Sequence, residues 1–440
     1  MIAMLARTLA AATAALALSH TASAQDVLIR DARVHTVAEA GTLERADVLV
    51  RGGRVAAIGA GLSAPEGVAV VDAAGLSLTP VLFGGLSGLG IEEVSGEAST
   101  VDGNLALMSP QHVPAHEPAW RPEFDLLPAF NPRSAAIGVN RVAGIGWTVL
   151  APGTVAGGSF LAGQGAAVIL DGRFDAELEG SRSLFINLGS DASTLSGGSR
   201  AGQYMLLEQA LREARPAPSP GMMPMVPSHG LLTPLGRETL SRYLRGGRVV
   251  FHVDRASDIR QTLALAQRMG VQPVIAGGTE AWMVAAELAA AKAPVLLDAL
   301  NNLPSNFDQL GARLDNAARL HAAGVPVAFS QGGDATHNAR KVRQLAGNAV
   351  ANGLPWEAGL AGLTAVPAQA FGVGDRHGRI EVGRSADLVL WTGDPLEVTS
   401  VARQVFFAGR AIPMRSRQTE LRDRYLAPAG ALPRAYSGSR

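Results

Sequence analysis

Short apolar runs alternate with amphipathic stretches through the middle of the chain. The strand-like runs are Trp147–Leu150, Ala166–Leu170, Leu184–Leu188, Val249–Val253, Pro273–Ile275, Val295–Leu297 and Pro326–Phe329. Several of them precede helical stretches, at Asp258–Met269, Glu280–Ala291 and Leu314–Ala323. Such alternation predicts an α/β fold, a (β/α)8 TIM-like barrel, with a doubly wound open sheet as the alternative.

Two blocks of short β runs flank this region. The first contains Ala46–Val50 and Val55–Ile58, joined by a Gly-Gly turn that is typical of a hairpin. The second contains Ala386–Trp391 and Gln404–Gly409. Neither block is large enough to bury a core alone. We therefore expect residues 25–78 and 379–415 to form one composite β-sandwich, residues 79–378 the barrel, and residues 416–440 a loosely held tail.

The first 24 residues have the order of a secretory signal peptide. Arg7 precedes an apolar run, Leu9–Leu18, and Ala22-Ser23-Ala24 forms a small-x-small cleavage site. The run is shorter than the roughly 20 residues that span a bilayer. The sequence predicts an exported protein, periplasmic or secreted, cut near Ala24.

The composition of the chain excludes several classes of function. The formal net charge is zero, which argues against a nucleic-acid partner. The chain has no cysteine, so disulfides, thiolate metal sites and cysteine nucleophiles are excluded. Its only lysines are Lys292 and Lys341. No second apolar stretch is long enough to predict a membrane span.

Motifs at both ends carry a family resemblance. The hairpin Arg51–Gly59 and the closing segment Gly378–Trp391, followed by Gly393-Asp394-Pro395, resemble the amidohydrolase superfamily, most closely its imidazolonepropionase-like exported branch. The resemblance implies a metal-dependent hydrolase of C–N bonds. It also implies one or two divalent ions at the carboxyl ends of the barrel strands, held by histidines, an aspartate and sometimes a carboxylated lysine.

The chain departs from that pattern at the ligand positions. The family's first strand ends in His-x-His, and these positions fall on Leu86 and Gly88 in the segment Thr79–Gly88. The histidine of the sixth strand falls on Gly277, and the aspartate of the eighth falls near Gly332. No lysine is available on the fourth strand. We interpret Leu86, Gly88 and Gly277 as degenerate ligand positions at the barrel mouth, with no metal cofactor expected.

A reduced metal site is the alternative. His252, Asp334 and His337 could supply three ligands for zinc or another divalent ion, and these three are also the catalytic candidates. His252 could equally be a leftover strand-end histidine, and the Asp334 segment a helix N-cap. Glu93, which follows the first strand together with Glu92, is a binding candidate if that loop faces the mouth.

Three functions remain open at this point. The chain could be a C–N hydrolase with a reduced site, a non-catalytic relative that binds a small molecule, or a partner subunit of an active amidohydrolase. The second requires a small-molecule ligand, and the third a heteromer. A homo-oligomer is compatible with each of them.

Overall fold

The computed structural model describes residues 25–106, 120–215, 230–333 and 335–426. The strands are β1 Val27–His35, β2 Thr42–Arg51, β3 Arg54–Gly59, β4 Ala69–Asp72, β5 Ser77–Pro80, β6 Leu82–Ser87, β7 Ile145–Leu150, β8 Leu161–Gly165, β9 Ala167–Ile169, β10 Ser183–Asn187, β11 Arg248–Val253, β12 Gln272–Gly277, β13 Val295–Leu297, β14 Val327–Phe329, β15 Leu388–Trp391, β16 Ala402–Phe407 and β17 Arg410–Ala411.

The α-helices lie mainly between these strands. They are α1 Ala135–Arg141, α2 Arg200–Ala214, α3 Pro234–Tyr243, α4 Ala256–Met269, α5 Ala285–Ala290, α6 Asn316–Ala322, α7 Ala335–Asn338, α8 Val342–Ala351, α9 Trp356–Ala361, α10 Ala365–Ala370 and α11 Arg417–Leu426. The fold is therefore of the mixed α/β class that the alternating pattern predicts.

One eight-stranded sheet joins the two ends of the chain. Its order is β17-β16-β15-β5-β1-β2-β3, and β4 pairs with β1 beside this path. The junction is the antiparallel pair β5–β15, in which Thr79 lies opposite Val389. The two end blocks were predicted to form one composite module, and hydrogen bonds do connect strands of both blocks into a single sheet.

This sheet buries its own hydrophobic cluster. Val27 and Ile29 on β1, Val48 on β2 and Leu388 on β15 are all buried within it. The hairpin between β2 and β3 turns at Gly52 and Gly53, both with positive φ (56° and 77°). Such angles match the twist of paired strands and favour glycine, so the Gly-Gly signal in the sequence has a direct backbone cause.

The central strands form two further sheets. A six-stranded sheet has the order β14-β13-β12-β11-β10-β8, and its strands β10 to β14 are parallel. A three-stranded sheet has the order β6-β7-β9. Only Ala166 separates β8 from β9, so the segment 161–169 connects the two sheets.

The segment 161–169 runs antiparallel to the strands beside it. β9 is antiparallel to β7, and β8 is antiparallel to β10. This differs from the uniform parallel order of a (β/α)8 barrel. The cause is the connection between β7 and β8, which spans only residues 151–160 and contains no helix in the structure. Without a crossover helix the chain returns antiparallel, because parallel neighbours are usually joined by a helical crossover.

The far edges of the two central sheets approach each other. The Phe329 N–H of β14 donates to the Gly362 carbonyl (3.3 Å), and the Phe83 N–H of β6 donates to the Leu363 carbonyl (2.8 Å). The Leu86 N–H also donates to Ser330 Oγ at 3.0 Å. Residues 362–363 thus bridge β14 and β6, and this brings the ends of both strands to one place.

Helix boundaries agree closely with the hydrophobic pattern. The predicted helix Asp258–Met269 is α4, which ends at Gly270 with φ 69°. The predicted helix Leu314–Ala323 is α6. The predicted helix Glu280–Ala291 is instead divided into a 3-10 turn, Ala281–Val284, and α5. The tail contains α11, which begins after reciprocal hydrogen bonds between Ser416 and Thr419. No helix in the described residues is long and apolar enough to cross a membrane.

Candidate active site

The carboxyl ends of the parallel strands surround a cavity of about 900 Å³. Parallel strands end at the same edge of a sheet, so residues distant in sequence meet there. The lining includes, at or just beyond the ends of successive strands, Leu86 and Gly88 (β6), Asn187 (β10), His252 and Asp254 (β11), Gly277 (β12), Asp298 (β13) and Ser330 (β14). This edge is the candidate active site.

The lining includes the three residues that we interpreted from the sequence as degenerate ligand positions. Leu86, Gly88 and Gly277 contribute to the same cavity, and the exposed side chain of His252 faces it. Leu86 packs against the central hydrophobic core, so its side chain belongs to the packing below the cavity. Residues at the three positions that the resemblance assigns to metal ligands thus border one cavity.

At Gly88 the space that a side chain would need is already occupied. The Gly88 N–H donates to Thr336 Oγ1 (3.0 Å), and Thr336 Oγ1 donates to Glu92 Oε2 (3.0 Å). A Cβ on residue 88 would lie 2.9 Å from Thr336 Oγ1 and 3.1 Å from Glu92 Oε2. Any larger side chain would have to displace this hydrogen-bonded pair.

Gly277 is constrained by its backbone as well. Its φ is +86°, a conformation that side-chain-bearing residues rarely adopt. A Cβ at this position would lie 2.8 Å from Asp254 Oδ1 and 3.2 Å from His252 Nε2. The local structure therefore requires glycine at the position where the resemblance places a metal-binding histidine.

Glu93 does not lie where the sequence analysis expected it. Its carboxylate accepts hydrogen bonds from Ser134 Oγ (2.9 Å) and Asn131 Nδ2 (3.3 Å), beside the start of α1. It is the preceding residue, Glu92, that lines the cavity. Ser134 is the N-cap of α1, so Glu93 holds the start of that helix.

The reduced metal site is not assembled by the described residues. His337 is exposed, lies outside the cavity lining, and its carbonyl accepts a hydrogen bond from the Arg340 guanidinium. In α7 it is Thr336, one residue earlier, that turns toward Glu92. Asp334, the third candidate, lies outside the described residues. His252 is thus the one member of this set that the structure places at the cavity.

Asp254 is a cavity residue that the sequence analysis missed. Its Oδ1 accepts hydrogen bonds from the Thr279 N–H (3.0 Å) and Thr279 Oγ1 (2.7 Å), and its Oδ2 accepts from Gln309 Nε2 (3.1 Å). The signal was its separation of two residues from His252, because alternate residues of a strand share a face.

Asp298 was missed for a different reason. It follows the short strand β13 directly, and its carboxylate accepts hydrogen bonds from the Leu300 N–H (3.1 Å) and the Gly332 N–H (3.0 Å). The Gly332 contact joins two loops 34 residues apart, which local pattern does not reveal. Asn187, which also lines the cavity, lies opposite His252 and ends β10.

These residues do not fit the metal site that the resemblance implies. No group of three or more His, Asp or Glu side chains within the described ranges is placed to hold an ion. His252 supplies one imidazole, while Asp254 and Asp298 hold neighbouring loops through hydrogen bonds. A catalytic zinc site needs about three protein ligands converging on one point.

Solved structures show the same architecture. An amidohydrolase from Thermotoga maritima MSB8 superposes with a TM-score of 0.72 and 25% sequence identity, covering 88% of this chain and 100% of that one. N-isopropylammelide isopropylaminohydrolase from Burkholderia multivorans superposes with a TM-score of 0.50 and 17% identity, over 88% and 98% of the two chains. The second likeness concerns the fold alone.

Sequence comparison points to the same class. The sequence model of the amidohydrolase family matches residues 224–412. Amidohydrolase tasK of Hapsidospora irregularis is 46% identical over 59 residues, which are 13% of this chain and 6% of that protein. The chain therefore spans only a small part of this curated relative. The fold, the position of the cavity and these matches define an α/β scaffold similar to that of solved amidohydrolases. Residues 224–412 thus match the amidohydrolase family, and 88% of the chain resembles a solved amidohydrolase.

Proposed function

We propose that this protein binds a small polar molecule in the cavity and does not carry out the metal-activated hydrolysis of its family. The observation that carries the proposal is the close packing around Gly88 and Gly277. Contacts of 2.9 Å and 2.8 Å would meet a Cβ at these positions. Both sites pack around glycine, so placing a ligand side chain there would also require neighbouring side chains to move.

Metal-activated hydrolysis needs a tightly held ion. The ion lowers the pKa of a bound water and polarises the carbonyl group. One imidazole, His252, binds a divalent ion weakly, because affinity in such sites comes from several ligands held in position together. The proposal is therefore that the chain retains the cavity without this chemistry.

The described residues support acyl transfer without a metal no better than they support metal-activated hydrolysis. A histidine base needs a nucleophile within reach and a third group that orients its ring. Within the part of the chain that the structure describes, neither ring nitrogen of His252 has a hydrogen-bond partner. Ser87 Oγ lies 2.7 Å from Thr148 Oγ1, which donates to the Gly85 carbonyl, so this hydroxyl belongs to a buried network.

We further infer that the two central sheets close into a barrel of the family type. The bridge at residues 362–363 and the Leu86–Ser330 hydrogen bond support closure between β6 and β14. The barrel would contain one antiparallel element, the segment 161–169. Circular closure explains why the ends of β6 and β14 share one cavity.

Export through the signal peptide remains part of the proposal. It rests on the order of Arg7, Leu9–Leu18 and Ala22-Ser23-Ala24 in residues 1–24, which lie outside the described residues. N-terminal sequencing of the native protein should begin near Gln25. Recovery of intact Met1 on the protein in the cytosolic fraction would contradict export.

Elemental analysis tests the central proposal. After dialysis, the purified protein should contain far less than one equivalent of any transition metal, and His252→Ala should leave that content unchanged. The competing reduced site, with His252, Asp334 and His337, requires a stoichiometric ion that His252→Ala removes. Finding such an ion would overturn the proposal, whatever the activity of the preparation.

A further inference from the structure

The charges around the cavity are all of one sign. Three carboxylates line it, from Glu92, Asp254 and Asp298, whereas no lysine or arginine of the described residues does. Each carboxylate stands beyond a different strand, so they surround the opening on several sides. This asymmetry contrasts with a chain whose formal net charge is zero.

The hydrogen bonds that hold these carboxylates leave their charge uncompensated. Asp254 accepts from Thr279 and Gln309, and Asp298 accepts from two backbone N–H groups. Glu92 accepts from the Thr336 hydroxyl. All of these donors are neutral. They fix the carboxylates in place without providing a counter-ion.

A further acceptor at the same cavity has no partner. Gln331 contributes to the lining, and its Oε1 atom is buried and accepts no hydrogen bond from the described residues. A buried acceptor without a donor destabilises the fold. Rotation of the Gln331 side chain toward the cavity would offer this oxygen to an N–H group of a ligand.

We propose that the ligand is a small organic cation with several N–H donors, such as an alkylammonium or alkylguanidinium compound. This inference rests on the proposed function and names its ligand class. The volume of about 900 Å³ is far larger than a single metal ion needs and is typical of sites for small organic molecules. The positive charge is recognised by Asp254, Asp298 and Glu92, and the donors face the amide lining.

A pair of isosteric probes separates charge from shape. Isothermal titration calorimetry with the purified full chain would compare butylguanidinium with butylurea, which has nearly the same shape and no charge, and with butyrate. Butylguanidinium should bind about tenfold more tightly than butylurea, the value of one modest, partly shielded ion pair. Butyrate should bind least.

Matched variants locate the effect. Asp254→Asn and Glu92→Gln, which keep the shape of each side chain, should each reduce the preference for butylguanidinium severalfold. Asp423→Asn, on exposed α11, should leave it unchanged. Using two sites on different strands keeps the test valid if one variant fails to fold.

The remaining outcomes are also decisive. Equal or tighter binding of butylurea or butyrate would overturn the cation inference and leave the proposed ligand-binding function standing. Failure of all three probes at millimolar concentration would overturn the cation inference as well, since three carboxylates should retain a simple guanidinium. Stoichiometric displacement of the probe by Ca²⁺ would show an ion site and would also overturn it. The proposed function is tested separately: a stoichiometric metal ion in the purified protein would overturn it.

Discussion

His35 is a buried histidine whose titration affects folding. Its ring lies 3.0 Å from Thr42 Oγ1 and packs against Trp356, with ring centroids 4.7 Å apart. Burial, reinforced by the nearby charge of Arg33, lowers the pKa of His35 from 6.5 to about 4. In the unfolded chain the imidazole takes up a proton near pH 6.5, whereas in the folded protein it does so only near pH 4.

This difference predicts a pH-dependent loss of stability. The contribution of His35 is complete above pH 6.5 and is lost as the pH falls toward 4, because the unfolded state binds the proton first. The free energy of unfolding should fall by about 3 kcal/mol over that range from this residue. Urea titrations at several pH values would measure it. His35→Gln should flatten the dependence, whereas the exposed-site control His321→Gln should not; equal slopes in all three proteins would refute the assignment.

Asp387 explains part of the family's closing motif. Its Oδ2 lies 2.7 Å from Ser385 Oγ and 3.2 Å from His377 Nδ1, and its Oδ1 accepts from the Ala408 N–H at 2.9 Å. Burial raises the pKa of Asp387, but the hydrogen bond and charge of His377 and the other donors outweigh it and hold that pKa below its ordinary value. The motif residue thus joins β15 to the turn after β16.

Substitution at this position should destabilise the fold. Asp387→Asn removes the charge and turns one acceptor into a donor that faces other donors, so we expect a loss of about 2–4 kcal/mol in the free energy of unfolding. Asp375→Asn, whose side chain is 73% exposed, is the matched control and should change it little. Denaturant unfolding of both variants provides the measurement. A loss no greater than that of the control would contradict the structural role of Asp387.

At the level of strand ends, two cavity glycines should respond differently to the same substitution. Gly277 has φ +86° and close contacts, whereas a Cβ on Gly332 would meet only Asp298 Oδ2, at 3.5 Å. Gly277→Ala should therefore lower the free energy of unfolding by at least about 1–2 kcal/mol. Gly332→Ala should change it by no more than about 0.5 kcal/mol. Thermal unfolding distinguishes the two, and equal stability of both variants would show that position 277 tolerates a side chain.

The sequence predicts the strands and helices more completely than it predicts which strands pair and in which direction. The strands β10 to β14 and the helices α4 and α6 follow from apolar runs and amphipathic spacing. The antiparallel direction of the segment 161–169 does not, because strand direction depends on the length and course of the connection before it. The placement of Glu92 in the cavity instead of Glu93 likewise depends on the turn after β6, which brings Thr336 within reach of one carboxylate only.

Prediction from the sequence is limited in the same way for the residues that line the cavity. Leu86, Gly88, Gly277 and His252 could be located because a family pattern gave their strand positions. Asp298 and Gln309 could not, since they reach the cavity from a long loop held by contacts such as Gln309 to Asp254. Contacts between distant segments leave no periodic signal in the chain.

At the scale of the whole molecule, the C-terminal strands should be indispensable. Removing residues 379–440 takes away β15 to β17, including the buried Trp391, whose Nε1 donates to Thr79 Oγ1 at 2.8 Å. The exposed edge of β5 and the lost core should exceed the 5–15 kcal/mol by which domains are usually stable. The truncated chain should be insoluble or lack a cooperative thermal transition. Removing only residues 427–440 is the control and should preserve both solubility and transition; a soluble, cooperative 1–378 chain would contradict this expectation.

The pairing of Thr79 with Val389 has a consequence for how the chain matures. These partners are 310 residues apart in a chain of 440, so the loop that closes when β5 meets β15 is very long. Folds dominated by such distant contacts form slowly. During synthesis, β5 lacks its second neighbour until the last strands have emerged. A newly made chain thus remains open along this edge and vulnerable to proteases, and the final sheet forms only when both ends are present.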